Sequence, residues 1–441
     1  MRHRIAVVGG GPAGLTFARV LQRHDEAVTV FERDSGPDAR PPGGTLDLHE
    51  GMGQLALTKA GLLAEFQALS RPEGQAMRIL DTDGTVLRDW RPGAEERAHP
   101  EIDRGQLRDL LLGSLDVQWG RGVAEVVPGA RDGVLVRFAD GREETFDLVV
   151  GADGAWSRVR PAVSSAVPRY SGVTLVETSM DDVDARHPDL ARLIGDGSMA
   201  VYGVNRALVA QRNSGGHVKV YAQFRAPLDW HTDLERHLGL GRQLEVERQL
   251  GLGRQLDAER QLGLGRQLDA ERQLGLGRQL DAERQLEVER VEGRDGRARL
   301  DLDDVEAVRS SLLALYDGWA APVLDLLRHG TAFAHRPHYV LPVGHTWAHV
   351  PGVTLLGDAA HLMPPLGVGA NLAMLEGAEL AEAVVAAASG SGGLDEAVRA
   401  FEEGMWARAG RYAKMTAAGL ERLVSPDPAE ALALFDELQP S

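Results

Sequence analysis

Hydrophobic and polar positions along the chain alternate between strand-like and helix-like periods. Ile5-Ala6-Val7-Val8 is a short apolar run, Leu15, Ala18 and Leu21 recur at helical spacing, and Val28-Thr29-Val30-Phe31 is a second apolar run. Strand, helix, strand in that order predicts a right-handed crossover within a parallel sheet. Met77 to Leu80 and Thr85 to Leu87 flank Asp83-Gly84, which predicts a hairpin. A helix is predicted from Arg104 to Leu115, and strands from Val134 to Phe138 and from Asp147 to Val150. Short strand-like runs between Val173 and Arg225, among them Ala207 to Ala210 and Val218 to Tyr221, predict a second, sheet-based domain. Helical spacing returns from Val305 to Leu327, a buried-type strand follows from Val353 to Leu356, and Gly367 to Ala388 and Leu394 to Leu423 read as long helices. An apolar run from Leu432 to Leu438 ends the pattern.

One segment breaks this logic. The twelve-residue unit GLGRQLDAERQL starts at Gly251, Gly263 and Gly275, with a variant at Gly239. Core positions need different side chains in different places, so packing has not shaped a repeat this regular. Twelve residues at about 100° each leave a drift of about 120° per unit, so its leucines spiral and form no stripe. The segment reads as a duplicated, solvated insertion, favoured over a partner-binding rod because it offers no continuous apolar face for a partner to grip.

Composition narrows the class. The chain has 441 residues, room for two or three domains. Acidic residues outnumber basic ones by 65 to 48, for a net charge of −17, which argues against nucleic acid or an anionic membrane as partner. Cysteine is absent, so disulfides, thiolate metal sites and cysteine nucleophiles are excluded. The histidines show no metal-ligand spacing, and no metal is expected. Ile5 to Val8 is too short for a signal-peptide core, and no stretch of about 18 apolar residues exists, so a cytoplasmic monomer is expected.

The chemistry starts at Gly9-Gly10-Gly11-Pro12-Ala13-Gly14, a GxGxxG turn between the first strand and the first helix. Gly9, Gly11 and Gly14 permit the tight turn and bring backbone amides and a helix N-terminus toward a pyrophosphate. Glu32, 18 residues past Gly14, ends the second strand, where a carboxylate accepts from a ribose 2′-hydroxyl and repels a 2′-phosphate. This predicts bound FAD or NAD and excludes NADP at this site. The GLGRQL units lack a third glycine and a preceding strand, so they carry no such signal.

Two further strand-end turns, Asp147 to Gly154 with Asp153-Gly154, and Gly352 to His361 with Gly357-Asp358, complete a set. The three segments, in this order, resemble the single-component flavin-dependent aromatic hydroxylases, the group of p-hydroxybenzoate hydroxylase. Gly43 to His49, Ala60-Gly61-Leu62, Glu101 to Arg108 and Asp358 to Pro365 are similar to the tetracycline destructases, over nearly the whole chain except the repeat. The resemblance implies an α/β fold, with a Rossmann-type FAD-binding domain interleaved with a β-sheet substrate domain, plus a C-terminal helix. Residues 1–72, 101–170 and 340–390 would form the FAD-binding domain. Residues 73–100 and 171–339 would form the substrate domain, carrying the repeat at 239–290, and 391–441 the helical end.

Carried over by position, the resemblance implies FAD contacts at Glu32, Arg33, Asp47, Arg104 and Asp358, with Asp358 on the ribityl chain. It implies an NADPH contact at Arg40, with a solvated loop arginine as the alternative, and a place for Asp153 near the pyrophosphate. The helix start at Gly367, Gly369 and Asn371 would aim backbone amides at the reduced flavin. NADPH would reduce FAD, O2 would add to form a C4a-hydroperoxyflavin, and one oxygen would pass to a small-molecule aromatic or polyketide substrate. No catalytic side chain is identifiable, because the flavin performs the oxygen transfer. His361 reads as structural. The destructases' substrate-facing glutamine, arginine and histidine fall on Glu177, Gly197 and Lys219, which match none of them. The loop after Pro365 is about one residue shorter, so a tetracycline and another polycyclic or phenolic substrate stand level. A flavin reductase or dehydrogenase, and a non-catalytic flavin-bearing sequestering protein, are the alternatives. The W-x-W-x-I-P motif of flavin halogenases does not occur.

Overall fold

A computed structural model describes residues 3–39, 43–93, 98–131, 133–232, 291–292, 298–390 and 392–438. Arg40 and the repeat lie outside the described residues. In chain order, the elements that build the site are strand β1 (Ile5–Val8), helix α1 (Pro12–Arg23), strand β2 (Val28–Phe31), strands β3 (Thr45–Asp47) and β4 (Glu101–Asp103), helix α2 (Arg104–Leu112), and strands β5 (Leu148–Gly151), β6 (Arg169–Met180), β7 (Val218–Arg225), β8 (Ala334–Val340) and β9 (Val353–Leu355). Helices α3 (Gly369–Ser389), α4 (Leu394–Leu423) and α5 (Ala429–Leu438) follow.

The first sheet is parallel, in the order β9-β5-β1-β2 with Val117–Gln118 at the far edge. β1 and β5 are buried along their whole length, which is why both read as continuous apolar runs. α1 crosses over from β1 to β2 as the periodicity predicts. It begins at Pro12, three residues before its apolar stripe, because proline is already preorganised for the first helical position. α3 packs on α1 so closely that a Cβ on Gly377 would stand 2.5 Å from the Ala13 carbonyl oxygen. Glycine there lets two helix backbones touch.

The second sheet has seven strands, in the order β8-β6-β7, then Arg206–Arg212, Ser198–Gly203, Met77–Leu80 and Val86–Trp90. The predicted hairpin at Asp83-Gly84 is its edge, with Gly84 at φ +81°. β7 alternates fully buried and half-buried residues. Val218, Val220, Ala222 and Phe224 face a core under Val305–Leu315 and Ala321–Arg328, while Lys219 and Tyr221 face the other way. The predicted single helix from Val305 to Leu327 is these two helices, separated by Gly318 at φ +85° and restarted just before Pro322. The helix predicted from Arg104 to Leu115 stops at Leu112, where Gly113 takes φ +41°.

α4 runs from Leu394 to Leu423 as predicted and is anchored by one buried carboxylate. Glu402 accepts hydrogen bonds from Trp347 Nε1 at 3.1 Å and Thr354 Oγ1 at 2.8 Å, and lies 2.7 Å from His349 Nδ1. The last apolar run is helix α5, which packs with Leu423 of α4 over the half-buried face of the second sheet.

Candidate cofactor and substrate site

The GxGxxG turn leaves β1 with Gly9 at φ +110°, and a Cβ there would stand 2.3 Å from the Ala152 carbonyl oxygen. A Cβ on Gly14 would stand 2.2 Å from the Gly9 carbonyl oxygen. Both positions therefore require glycine. Gly11, by contrast, has no side-chain neighbour within contact distance, so its backbone is open to approach. Glu32 closes the turn: its Oε2 accepts from Gly10 N at 2.7 Å and its Oε1 from Asp34 N at 3.0 Å. Each oxygen keeps a lone pair for one more donor. Arg33 is exposed beside it.

α1 and α3 both start next to turns of this site. Neither has a side-chain cap or an acidic residue in its first turn, a trait they share with Arg104–Leu112 and Ala321–Arg328, so no side chain of the first turn competes for their first amides. Such ends suit an anionic ligand.

Between them lie the turns after β5 and β9. Asp153 Oδ2 accepts from Arg158 N at 2.6 Å, its Oδ1 is buried without a partner, and burial raises its pKa. Arg160, buried, ties the two turns together by donating to the carbonyls of Ala155 at 2.8 Å, Asp358 at 3.2 Å and Ala359 at 2.8 Å. Asp358 is enclosed. Burial raises its pKa, against the nearby charges of His361, Arg104 and Arg160. His361 Nε2 lies 2.6 Å from Glu376 Oε2, and both side chains are buried.

At the far end, Asn371 is a clip. Its Oδ1 accepts from His49 N at 2.8 Å and Gly53 N at 3.2 Å, and its Nδ2 donates to the carbonyls of Asp47 at 2.7 Å and Gly367 at 2.9 Å. The predicted role lay in its backbone amide; its side chain is spent on holding the Asp47–Gly53 segment against α3. The Asp47 carboxylate lies 2.9 Å from His49 Nε2 and faces Gly367, whose Cβ would stand 3.3 Å from it. Gly369, the first residue of α3, has open space around it.

Strands β3 and β4 pair antiparallel, Asp47 opposite Glu101 and Thr45 opposite Asp103. Leu46 and Ile102 point into the first core, so Thr45, Asp47, Glu101 and Asp103 share the other face. Arg71 Nη2 joins that face to the second sheet, lying 3.5 Å from Asp103 Oδ1 and 3.0 Å from the Arg212 carbonyl. Glu101 is buried with Oε2 unpartnered, and burial, with Asp47 and Asp103 nearby, pushes its pKa up to about 7.

The second sheet meets this end at Gly44, where a Cβ would stand 2.4 Å from Tyr221 Oη and 2.9 Å from Gln211 Oε1. Arg104 lies against Gly43. Lys219 shares the face of Tyr221, one pleat along. Glu177, opposite Tyr221 in the ladder, lies 3.2 Å from Arg336 Nη2. Gly197 does not belong here: a Cβ on it would meet the carbonyls of Ala76 and Gly74 at 2.1 and 2.5 Å, so it serves strand packing.

The predicted residues therefore line three stations in sequence: Gly9, Gly11, Gly14, Glu32 and Arg33; then Asp153 and Asp358; then Asp47, Arg104, Gly369 and Asn371, with Glu177 and Lys219 on the facing sheet. Sequence reading missed Glu101, Tyr221, Gln211 and Arg160 as site residues. The alternation in Val218-Lys219-Val220-Tyr221 carried the signal for Tyr221, which must share a face with Lys219. Glu101 had none, since its burial follows from its pairing with β3.

A crossover with uncapped α1, a terminal acid on β2 and two further strand-end turns defines a flavin-nucleotide-binding protein. The chain belongs to the FAD binding domain family, whose model matches residues 2–226, and with its full-length relatives to the FAD-dependent monooxygenases. It is 31% identical over 460 residues to the monooxygenase penA of Penicillium thymicola, covering 94% of this chain and 93% of that protein. It is 31% identical over 412 residues to the monooxygenase asqM of Emericella nidulans, covering 86% and 83%. Its fold is similar to that of Klebsiella pneumoniae HpxO, solved with FAD and uric acid, at TM-score 0.69 and 19% identity, covering 99% and 92%. It is also similar to tetracycline destructase Tet(51), at TM-score 0.61 and 17% identity, covering 99% and 97%. Among the described residues, no cluster of side chains could hold a metal ion, and no helix is long and apolar enough to cross a membrane.

Proposed function

We propose that this chain hydroxylates an electron-rich polycyclic aromatic or polyketide compound, consuming NADPH and O2 on bound FAD. The carrying observation is the meeting at Gly44: a sheet face bearing Glu177, Lys219, Tyr221 and Gln211 closes on the loop and ribbon that carry Asp47 and Arg104. A substrate on that face would lie against the flavin end of the groove. Bound FAD would supply the activation of oxygen.

The chain's own residues supply positions and charge. Glu32 would accept from the adenosine ribose, the α1 amides would face the pyrophosphate, and Asp358 would accept from the ribityl chain. Asp47, Arg104 and the first amides of α3 would surround the ring. NADPH would bind transiently against the FAD-binding region, because no second glycine turn of the required type exists. Residues 73–100 and 171–339 would form the substrate side, a reading supported by the second sheet, whose strands come largely from these stretches. Tyr221, whose pKa burial pushes up to about 12, stays a neutral hydroxyl that can donate to or accept from a phenolic or enolic oxygen. A tetracycline fits this reading as one polycyclic candidate.

NADPH oxidation and oxygen uptake, followed with a tetracycline and a panel of phenols, test the reading. A product heavier by one oxygen atom supports it. NADPH oxidation that yields only peroxide with every substrate refutes it. Purified protein that stays colourless after FAD is added refutes the flavin site itself.

A further inference from the structure

Glu376 is fully buried, and a buried carboxylate must be either neutral or paired. Its Oε2 lies 2.6 Å from His361 Nε2 and 3.3 Å from the donating Gly357 N, while its Oε1 has no partner. His361 follows Asp358 by one helical turn, and Glu376 sits in α3 one residue before the Gly377 contact with α1. The pair thus joins the turn after β9 to the helix that reaches the far end of the groove.

The charges around it count unevenly. Asp153, Asp358 and Glu376 bring three carboxylates, and Arg104 and Arg160 bring two guanidiniums that act on the same group. His345 also faces this cluster, donating from Nδ1 to the Ala360 carbonyl at 2.6 Å, and burial holds its pKa down, so it stays neutral. A proton on His361 offsets the Glu376 carboxylate and puts positive charge beside Asp358 before a pyrophosphate adds further negative charge. Burial alone would lower the His361 pKa; the charge and hydrogen bond of Glu376, with the charge of Asp358, outweigh that and raise it.

We infer that His361 is a positioning residue whose proton, shared with Glu376, holds the turn after β9 in its FAD-retaining form and makes FAD retention depend on pH. This rests on the FAD site proposed above. As pH rises through the His361 ionisation, Glu376 is left bare, the cluster gains a negative charge, and the cofactor is released more easily.

The test measures FAD dissociation from the holoenzyme by flavin fluorescence after ultrafiltration, from neutral pH upward as far as the fold persists, the direction in which an imidazole with a raised pKa loses its proton. In the unmodified protein the Kd should rise about tenfold along one ionisation, the coupling expected of a single charge near the ligand. His361→Gln, which still donates to Glu376, should bind FAD about tenfold more weakly at pH 7 and lose the step. Glu376→Gln should move the step to lower pH, since the group that raises the imidazole is gone. A flat profile in the unmodified protein, or a step that survives His361→Gln, overturns the inference. If His361→Gln does not fold, an unmoved step in Glu376→Gln overturns it. Asp358→Ala separates the two readings. Unchanged FAD affinity in Asp358→Ala refutes the site, whereas lost affinity there beside an unaltered His361→Gln refutes only the role of His361.

Discussion

Replacing Asn371 by alanine removes the clip that fixes the Asp47–Gly53 segment against α3. Four backbone groups lose their partner: the amides of His49 and Gly53 and the carbonyls of Asp47 and Gly367. Asn371 is fully buried, but of its four partners only Gly53 is, with Asp47 and His49 half-buried and Gly367 exposed. An unsatisfied buried group costs about 1–3 kcal/mol, which applies in full to the Gly53 amide and in part to the other three, so a net loss of about 2–3 kcal/mol is expected. Asn371→Asp should fare no better, because a carboxylate cannot donate to the two carbonyls. Urea unfolding of the holoenzyme, followed by tryptophan fluorescence, should show a lower midpoint with an unchanged slope. FAD affinity should fall in parallel, since Asp47 and the start of α3 lose their register. A loss below about 1 kcal/mol with full FAD affinity would refute the reasoning, because it would mean these groups find other partners.

Three further outcomes follow from the same geometry. Glu402→Ala strips the anchor from Trp347, Thr354 and His349 and should cost about 3–5 kcal/mol in urea unfolding, with α4 becoming the first helix to exchange its amides. Glu101 keeps its proton up to about pH 7 in the fold against 4.5 unfolded, so its stabilising contribution at low pH is lost as pH rises through that window. Glu101→Gln should therefore be more stable than the parent at pH 8, by up to about 3 kcal/mol, and level with it near pH 4; a constant difference across pH would refute this. Deleting Gly251 to Leu286 should leave flavin absorbance and FAD affinity unchanged, because no residue assigned to the FAD site falls within it.

What could be read from sequence follows the range of the interactions concerned. β1, α1, β2 and α4 obey local periodicity, and the structure has them within a turn of the predicted positions. Gly9, Gly14 and Glu32 were legible because backbone sterics dictate them within one crossover. Where a long-range partner decides, the sequence is silent. β3 and β4, only three residues each, exist because Leu46 and Ile102 find one core, and nothing local announces that Asp47 will stand opposite Glu101. β8, with Pro337 and three histidines or aromatics, lacks an apolar alternation and forms because β6 offers it a ladder. The helix break at Gly318 and Pro322 was visible in residue type, but the apolar spacing across it outweighed two breakers in the prediction.

The contact at Gly377 has a consequence for what this protein can accept. α1 and α3 touch there through backbone, so the spacing between their two uncapped ends does not depend on any side chain. The end of α3 lies eight residues before that contact, about 12 Å of helix. If both ends take anionic groups, as the proposed FAD site has it, the two helices would act as a gauge of the length between them. A mononucleotide would satisfy only one end. The discrimination is set in the main chain, and only a change at the crossing itself would recalibrate it.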